Sequence, residues 1–288
     1  MKEFYAGTKM GRDSLMLVAR ATAILEEYQL RMTVRQLYYQ LVAADLIPNS
    51  VKSYKRVVRI MRDARMSGIL DWDWIEDRLR RPHVPSTWGS IQEIIRSAKQ
   101  QFRLDRWKNQ EAYIEVWVEK DALAGICGDV AAKWQVTLQV NRGYSSVSAM
   151  REAAHRFMAA AEDGRSPVLG YLGDHDPSGE DMVRDVRDRL ATFGVEVEVQ
   201  KLAIMSEDIV TYHLPPQPVK ESDSRAGAFM AAHGDECVEL DALRPDVLTK
   251  RIDDFVLEHL DRDLWDAVQR EEDRQRDTVK IEMEKEGD

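Results

Sequence analysis

Residues 170–182 read GYLGDHDPSGEDM, and with the apolar lead-in Pro167-Val168-Leu169 they decide how the chain is organised. Pro167 to Leu172 has the length and content of a short buried strand, and Gly179 onward reads as a helix. Asp174 and Asp176 therefore fall on a strand-to-helix turn, which in an open α/β sheet belongs to the binding edge. Two carboxylates one residue apart repel each other unless a cation lies between them, and Mg²⁺ takes a few carboxylates together with phosphate oxygens. The same letters mimic a calcium loop of EF-hand type, Asp174-x-Asp176-x-Ser178-Gly179 with Asp185 as its last ligand. That loop needs a helix before it and a final Glu, whereas here a strand precedes it and Pro177 interrupts it.

Working outward, Tyr113–Val118 is a strand, Asp121–Lys133 a helix, Gln135–Val140 a strand and Ser146–Glu162 a helix. After the central strand and turn come a helix to about Phe193 and a strand from Val195 to about Leu202. This βαβαβαβ order with short connections predicts an α/β fold with a Rossmann-like parallel sheet and helices on its faces. Glu119 ends the first of these strands, so the same edge rule brings it to the side that carries Asp174 and Asp176.

Before the sheet the pattern is helical and basic. Residues 12–29 carry an apolar face of Leu15, Val18, Ala19, Thr22 and Leu25. In TVRQLYYQLVAADLIP, Thr33 and Gln36 form a capping box, and Val34, Leu37, Tyr38 and Leu41 share one face. Arg35 and Tyr39, four apart, share a neighbouring face, so Tyr38 is expected in the core and Tyr39 outside it. A helix from Ser50 to Ser67, stopped by Gly68, carries Lys52, Lys55, Arg56, Arg59 and Arg62, with Val51, Tyr54, Val57, Val58 and Met61 as its buried side. A cationic stripe of this kind lies along DNA phosphates. The alternating segment Ile69–Ile75 then reads as strand material for a wing, and Arg78, Arg80, Arg81 and Pro82 as the start of a linker, followed by a helix from Ser90 to Trp107.

The net charge of −10 hides an asymmetry that decides between partners. Residues 1–110 hold 20 Lys and Arg against 12 Asp and Glu, and the remainder holds 21 against 39. A basic module that grips a polyanion is thus joined to an acidic one that gathers carboxylates. No apolar run reaches membrane-span length and the start lacks a signal-peptide core, so a cytoplasmic protein without a membrane partner is expected. Cys127 and Cys237 lack CxxC or His spacing and read as reduced, buried thiols, with no zinc expected. The expected division is a winged-helix DNA-binding domain over 1–108, a metal-binding sheet domain over 109–205, and packing helices with a charged tail over 206–288.

With Glu at one strand end and Asp-x-Asp at another, residues 111 to about 202 resemble a Toprim domain. Val34-Arg35-x-Leu37-Tyr38-Tyr39, then Val118-Glu119-Lys120, then Asp174-x-Asp176-Pro177-x-Gly179-x-Asp181 is similar to the A subunit of topoisomerase VI, the related meiotic double-strand-break protein and the compact Mini-A relatives. The resemblance implies Tyr39 as the nucleophile, Glu119, Asp174 and Asp176 as ligands of Mg²⁺ or Mn²⁺, and a homodimer in which the tyrosine of one subunit meets the metal of the other. With no P-loop in the sequence, any ATP use would come from a separate ATPase subunit.

A phenol is a poor nucleophile at neutral pH, so cleavage of double-stranded DNA by this route needs help in forming the phenolate, a role expected of Arg35. Glu119 serves as metal ligand or as acid-base group at the leaving oxygen, and Asp181 as an outer partner or an exposed helix acid. His175 is left outside the catalytic set, and the loop LPPQPVKESDSR (214–225) reads as a structural tie. Two rival functions stay open: a metal-dependent hydrolytic nuclease without a covalent intermediate, and a non-catalytic DNA-binding scaffold of a mobile element or defence system.

Overall fold

The chain opens with helices α1 (Arg12–Tyr28), α2 (Val34–Ala43), α3 (Val51–Met66) and α4 (Ile91–Gln101) in a computed structural model that describes residues 1–75, 85–141, 143–220 and 222–285, with side chains to residue 278. Then strand and helix alternate: β1 (Ala112–Val118), α5 (Ala124–Lys133), β2 (Thr137–Val140), α6 (Val147–Glu162), β3 (Ser166–Leu172), α7 (Pro177–Thr192) and β4 (Glu198–Ala203). The remainder is α8 (Ser206–Thr211), β5 (Gln217–Pro218), α9 (Ala226–His233), β6 (Glu236–Cys237), α10 (Pro245–Glu258) and α11 (Arg262–Lys285). Arg78, Arg80, Arg81 and Pro82 of the expected linker lie outside the described residues.

The fold is mixed α/β around a four-stranded parallel sheet in the order β2-β1-β3-β4. Val118 pairs with Leu172, so β1 and β3 end at the same level and release their next residues on one edge. Alternation along β1 sends Ile114, Val116 and Val118 to one face and Trp117 to the other. The Trp117 face is covered by α6 and α7 through Met150, Phe157, Met182 and Leu190. On the opposite face a single apolar cluster runs from Ile114 and Leu172 through α5 and α10 to α1–α3, with Leu37, Leu41 and Met61 fully buried in it. Each such side chain stabilises the fold by about 1.5–3 kcal/mol. Among the described residues no helix is long and apolar enough to cross a membrane.

Local chemistry explains the helix ends. Thr33 and Gln36 make both bonds of the capping box on α2, Ser50 accepts from the Ser53 N–H at the start of α3, and Gly68 (φ 67°) ends it in the left-handed region.

Several expectations need correction. Residues 69–75 are not a wing strand: after Leu70 the chain makes a single 3-10 turn over Trp72–Trp74, and Ile75 touches Met32 in an isolated bridge. The buried side of α3 is Val57, Ile60, Met61 and Ala64, with Val51 and Val58 exposed, and that of α1 is Leu17, Val18, Ala21 and Leu25, with Leu15 exposed. In both helices the apolar letters outnumber the positions that face the core. The helix expected up to Trp107 stops at Gln101, and Trp107 is buried in the turn after it. Cys127 is buried but Cys237 only half-buried. The charged C-terminal stretch is anchored: Glu272 is 0% exposed and takes the Leu104 N–H and the Arg106 guanidinium.

Candidate active site

The edge formed by the ends of β1 and β3 carries the acids. The Asp174 N–H donates to Glu119 Oε2 (3.1 Å), and Asp176 caps α7 by accepting the Gly179 N–H (2.7 Å). Glycine is required at two points of this turn. A Cβ on Gly179 would lie 2.2 Å from the Asp174 carbonyl oxygen, and one on Gly173 would lie 3.0 Å from Glu119 Oε2.

A segment distant in sequence closes the edge. His175 and Val238 exchange two backbone hydrogen bonds (2.9 Å each), and the Leu240 N–H donates to Asp174 Oδ1 (2.7 Å). Val238 and Leu240 go into the core, which places Glu239 and Asp241 beside the strand-end acids. Lys120, the residue after Glu119, lies 2.8 Å from Asp174 and 3.5 Å from Asp241, and it also binds Glu239. From α2, Arg35 pairs with the same Glu239 (2.6 Å) and with Asp241 (3.2 Å). Glu239 thus joins the helical module to the sheet edge within one chain.

Tyr39 stands beside this network. The Arg35 guanidinium is 5.9 Å from its ring centre, and Tyr38 packs edge-on against it at 5.1 Å. The two tyrosines differ in their hydroxyls. That of Tyr38 donates to Asn49 (2.9 Å) and accepts from the Ser50 N–H (2.8 Å). That of Tyr39 makes no hydrogen bond among the described residues. Tyr39 was expected to point outward, yet it is only 6% exposed; what it faces is a pocket of about 550 Å³ lined by Arg35, Asn49, Ser50, Pro216 and Glu239. A second pocket of about 170 Å³ reaches Asp176 and shares Gln217, Pro218 and Glu239 with the first. The 214–225 loop is therefore a wall of both pockets as well as a tie, Arg225 being bound to Asp223 and Ser178.

Burial raises the Tyr39 pKa, Glu239 adds to the rise, and Arg35 and Lys120 only partly offset it. Arg35, already committed to two carboxylates, pulls the Tyr39 pKa down, the direction expected of it, but by less than burial raises it. Burial likewise raises the carboxyl of Glu119, with the Asp176 charge adding, and pushes Asp174 up to about 7 against the pull of Lys120.

Glu119, Asp174 and Asp176 are each held by a protein donor, and the three are not drawn to mutual ligand spacing among the described residues. The donor set nonetheless suits a hard divalent cation. Glu119, Asp174, Asp176, Glu239 and Asp241 are five carboxylates against the two cations Lys120 and Arg35, and the buried oxygens of Asp241 have no hydrogen bond. Asp181 is turned away, bonded to Tyr144 (2.6 Å) and Arg184 (2.7 Å). Lys52, Lys55, Arg56, Arg59 and Arg62 of α3 are exposed, whereas Arg65, expected in the same stripe, is half-buried over Trp72; Arg62 pairs with Asp63, and Lys52, Lys55, Arg56 and Arg59 have no ion-pair partner among the described residues.

Lys120, Glu239 and Asp241 were missed as site residues in the sequence reading. The signal available was the alternation Val238-Glu239-Leu240-Asp241, an apolar strand-like run with both acids on one side. In comparisons with family models, curated proteins and solved structures, the chain matches none.

Proposed function

We propose that this chain cleaves DNA as a topoisomerase VI A-like transesterase, with Tyr39 as nucleophile and the strand-end acids as the partner site. The observation that carries the reading is Tyr39, whose hydroxyl makes no hydrogen bond among the described residues and whose side chain lines a pocket that also includes Glu239, the residue tied to both Arg35 and Lys120. A scissile phosphate in that pocket brings its own negative charge to Arg35, and the exposed Lys52, Lys55, Arg56 and Arg59 of α3, which begins at the pocket wall, track the flanking backbone. Asp174 and Asp176 would hold Mg²⁺, which neutralises charge on the phosphorus oxygens when bound, with Glu119 as a further ligand where it is not the acid at the leaving oxygen.

The phenol oxygen attacks phosphorus and the bond to the deoxyribose oxygen breaks, leaving a phosphotyrosyl link. The phenol proton passes to a carboxylate of the cluster, and Glu119, whose carboxyl is raised by burial, returns a proton to the leaving oxygen. The reading includes a homodimer and, for strand passage, a separate ATPase subunit. A dimer in which the tyrosine crosses to the partner would exchange the Arg35–Glu239 pair within the chain for one between chains.

The test is supercoiled plasmid with Mg²⁺ or Mn²⁺, quenched with detergent and resolved with and without proteinase K. Protein-linked DNA ends that vanish in Tyr39→Phe are expected. A second reading, hydrolysis by water, is favoured by the raised Tyr39 pKa and its burial; free ends, undiminished in Tyr39→Phe, would select it.

A further inference from the structure

His175, left outside the catalytic set, lies between two aspartates, but its extended backbone sends its side chain away from theirs. Asp174 goes to Lys120 and Leu240, whereas the His175 ring packs on Phe229 (5.2 Å between centres) and stands edge-on to His233 (5.3 Å, planes 89° apart). Glu180, in the first turn of α7, lies 2.9 Å from His175 Nδ1 through Oε1, an oxygen it also gives to Lys201. Its other oxygen makes no hydrogen bond among the described residues. His175, Glu180 and His233 each offer a ligand atom within 4.8 Å of the other two, and among the described residues no other trio of such ligands does.

An independent observation points to a ligand. His175 is 1% exposed, and its Nε2 is buried with no hydrogen-bond partner. A buried ring nitrogen left without a donor or acceptor is destabilising, so the surroundings of this ring are incomplete without a ligand. His233, at the C-terminal end of α9, is exposed and lines a pocket of about 260 Å³ together with Glu180, Arg184 and Arg225, so the group is open to ions from solvent.

We propose that His175, Glu180 and His233 form a second metal site, specific for a Zn²⁺-class transition ion and distinct from the carboxylate site at the strand ends. Two imidazoles and one carboxylate suit Zn²⁺ and disfavour Mg²⁺, which seeks oxygen ligands. Tetrahedral ligands at about 2.1 Å from zinc lie about 3.4 Å apart, so His175 Nδ1 and Glu180 Oε1, which are 2.9 Å apart, open slightly to admit the ion between them, and the exposed His233 side chain moves in as the third ligand. The ion would tie α9 to the turn that presents Asp174 and Asp176, leaving one coordination position toward the pocket. Cysteine spacing gave no sign of this site because it contains no cysteine and its histidines meet only through tertiary packing.

The test uses the full chain, stripped with chelator and titrated with Co²⁺ as a visible reporter and Zn²⁺ as its competitor. With excess Mg²⁺ filling the carboxylate site, one Co²⁺ per chain with visible bands, displaced by Zn²⁺, is expected. His233→Ala should weaken binding at least about tenfold, and His233→Cys should restore it. Asp174→Asn/Asp176→Asn should leave it unchanged, which separates this site from the carboxylate cluster. No binding by the folded wild type, or wild-type affinity in His233→Ala, overturns the proposal. Circular dichroism confirms folding of each variant.

Discussion

Two acids four residues apart, the fully buried Glu115 of β1 and the half-buried Glu119 just past its end, have opposite surroundings. Glu115, in the middle of β1, is fully buried and completely answered: Arg156 holds both its oxygens (2.7 and 2.9 Å), and Tyr113 and Trp117 donate to it (2.8 Å each). Glu119, just past the end of the same strand, joins a group of five carboxylates that share two cations, and burial drives the carboxyls of Glu119, Asp174 and Asp241 upward. Burial of charge alone does not mark a site, because Glu115 is the more deeply buried of the two. A surplus of charge that the protein leaves unbalanced does mark one.

The largest expected effect that could break this contrast is chemical. Asp174→Asn keeps the acceptor for the Leu240 N–H but removes a charge from the cluster, and it should lower DNA cleavage by about 10²-fold or more with the protein still folded. Equal cleavage rates in a plasmid assay would detach the cluster from the reaction. At the other acid the prediction reverses. Arg156→Met strands the Glu115 charge and should cost about 3 kcal/mol in urea denaturation, while cleavage per folded molecule is retained.

Lys120 sharpens the comparison further, since it occupies the place a metal would neutralise. Lys120→Gln should tighten Mn²⁺ binding by about tenfold, or 1.4 kcal/mol, measured by titration calorimetry. Weaker binding would mean that Lys120 organises the acids and does not compete with the ion.

The remaining effect is the pH dependence of stability. The Asp174 carboxyl stands at about 7 in the folded chain, above its ordinary value near 3.9 in the unfolded one. Between these values the folded state binds the extra proton, so stability falls as pH rises from about 4 to about 7, and the full penalty is present above that. Without divalent ions the wild-type melting temperature should decline over this window, and Asp174→Asn should flatten the decline. A parallel decline in the variant would assign the slope to other groups.

What the sequence made readable were features set by neighbours along the chain. The strand before Asp174, the helix after it, the Thr33–Gln36 box and the Ser50 cap all appear where the residue patterns put them, because each depends on a few adjacent residues. Features set by tertiary contact were not readable. Glu239 and Asp241 reach the site through the His175–Val238 bridge, which no local pattern announces. Tyr39 is covered because Asn49, Ser50 and Pro216–Pro218 close around it, although its helical face alone argued for exposure. The expected wing failed for a similar reason: the alternation Ile69–Ile75 contains two tryptophans, and Arg65 stacks on Trp72 (5.0 Å) in a 3-10 turn that suits this packing.

The most direct measurement on the central claim, that Tyr39 and the strand-end acids form one reacting site, is mass spectrometry of the detergent-trapped reaction after nuclease and trypsin digestion. The peptide after Arg35 contains both Tyr38 and Tyr39, and fragmentation tells them apart. A nucleotide attached to Tyr39, absent in Asp174→Asn, is the predicted result. A peptide free of nucleotide while DNA is being cut, or a nucleotide on Tyr38, would contradict it.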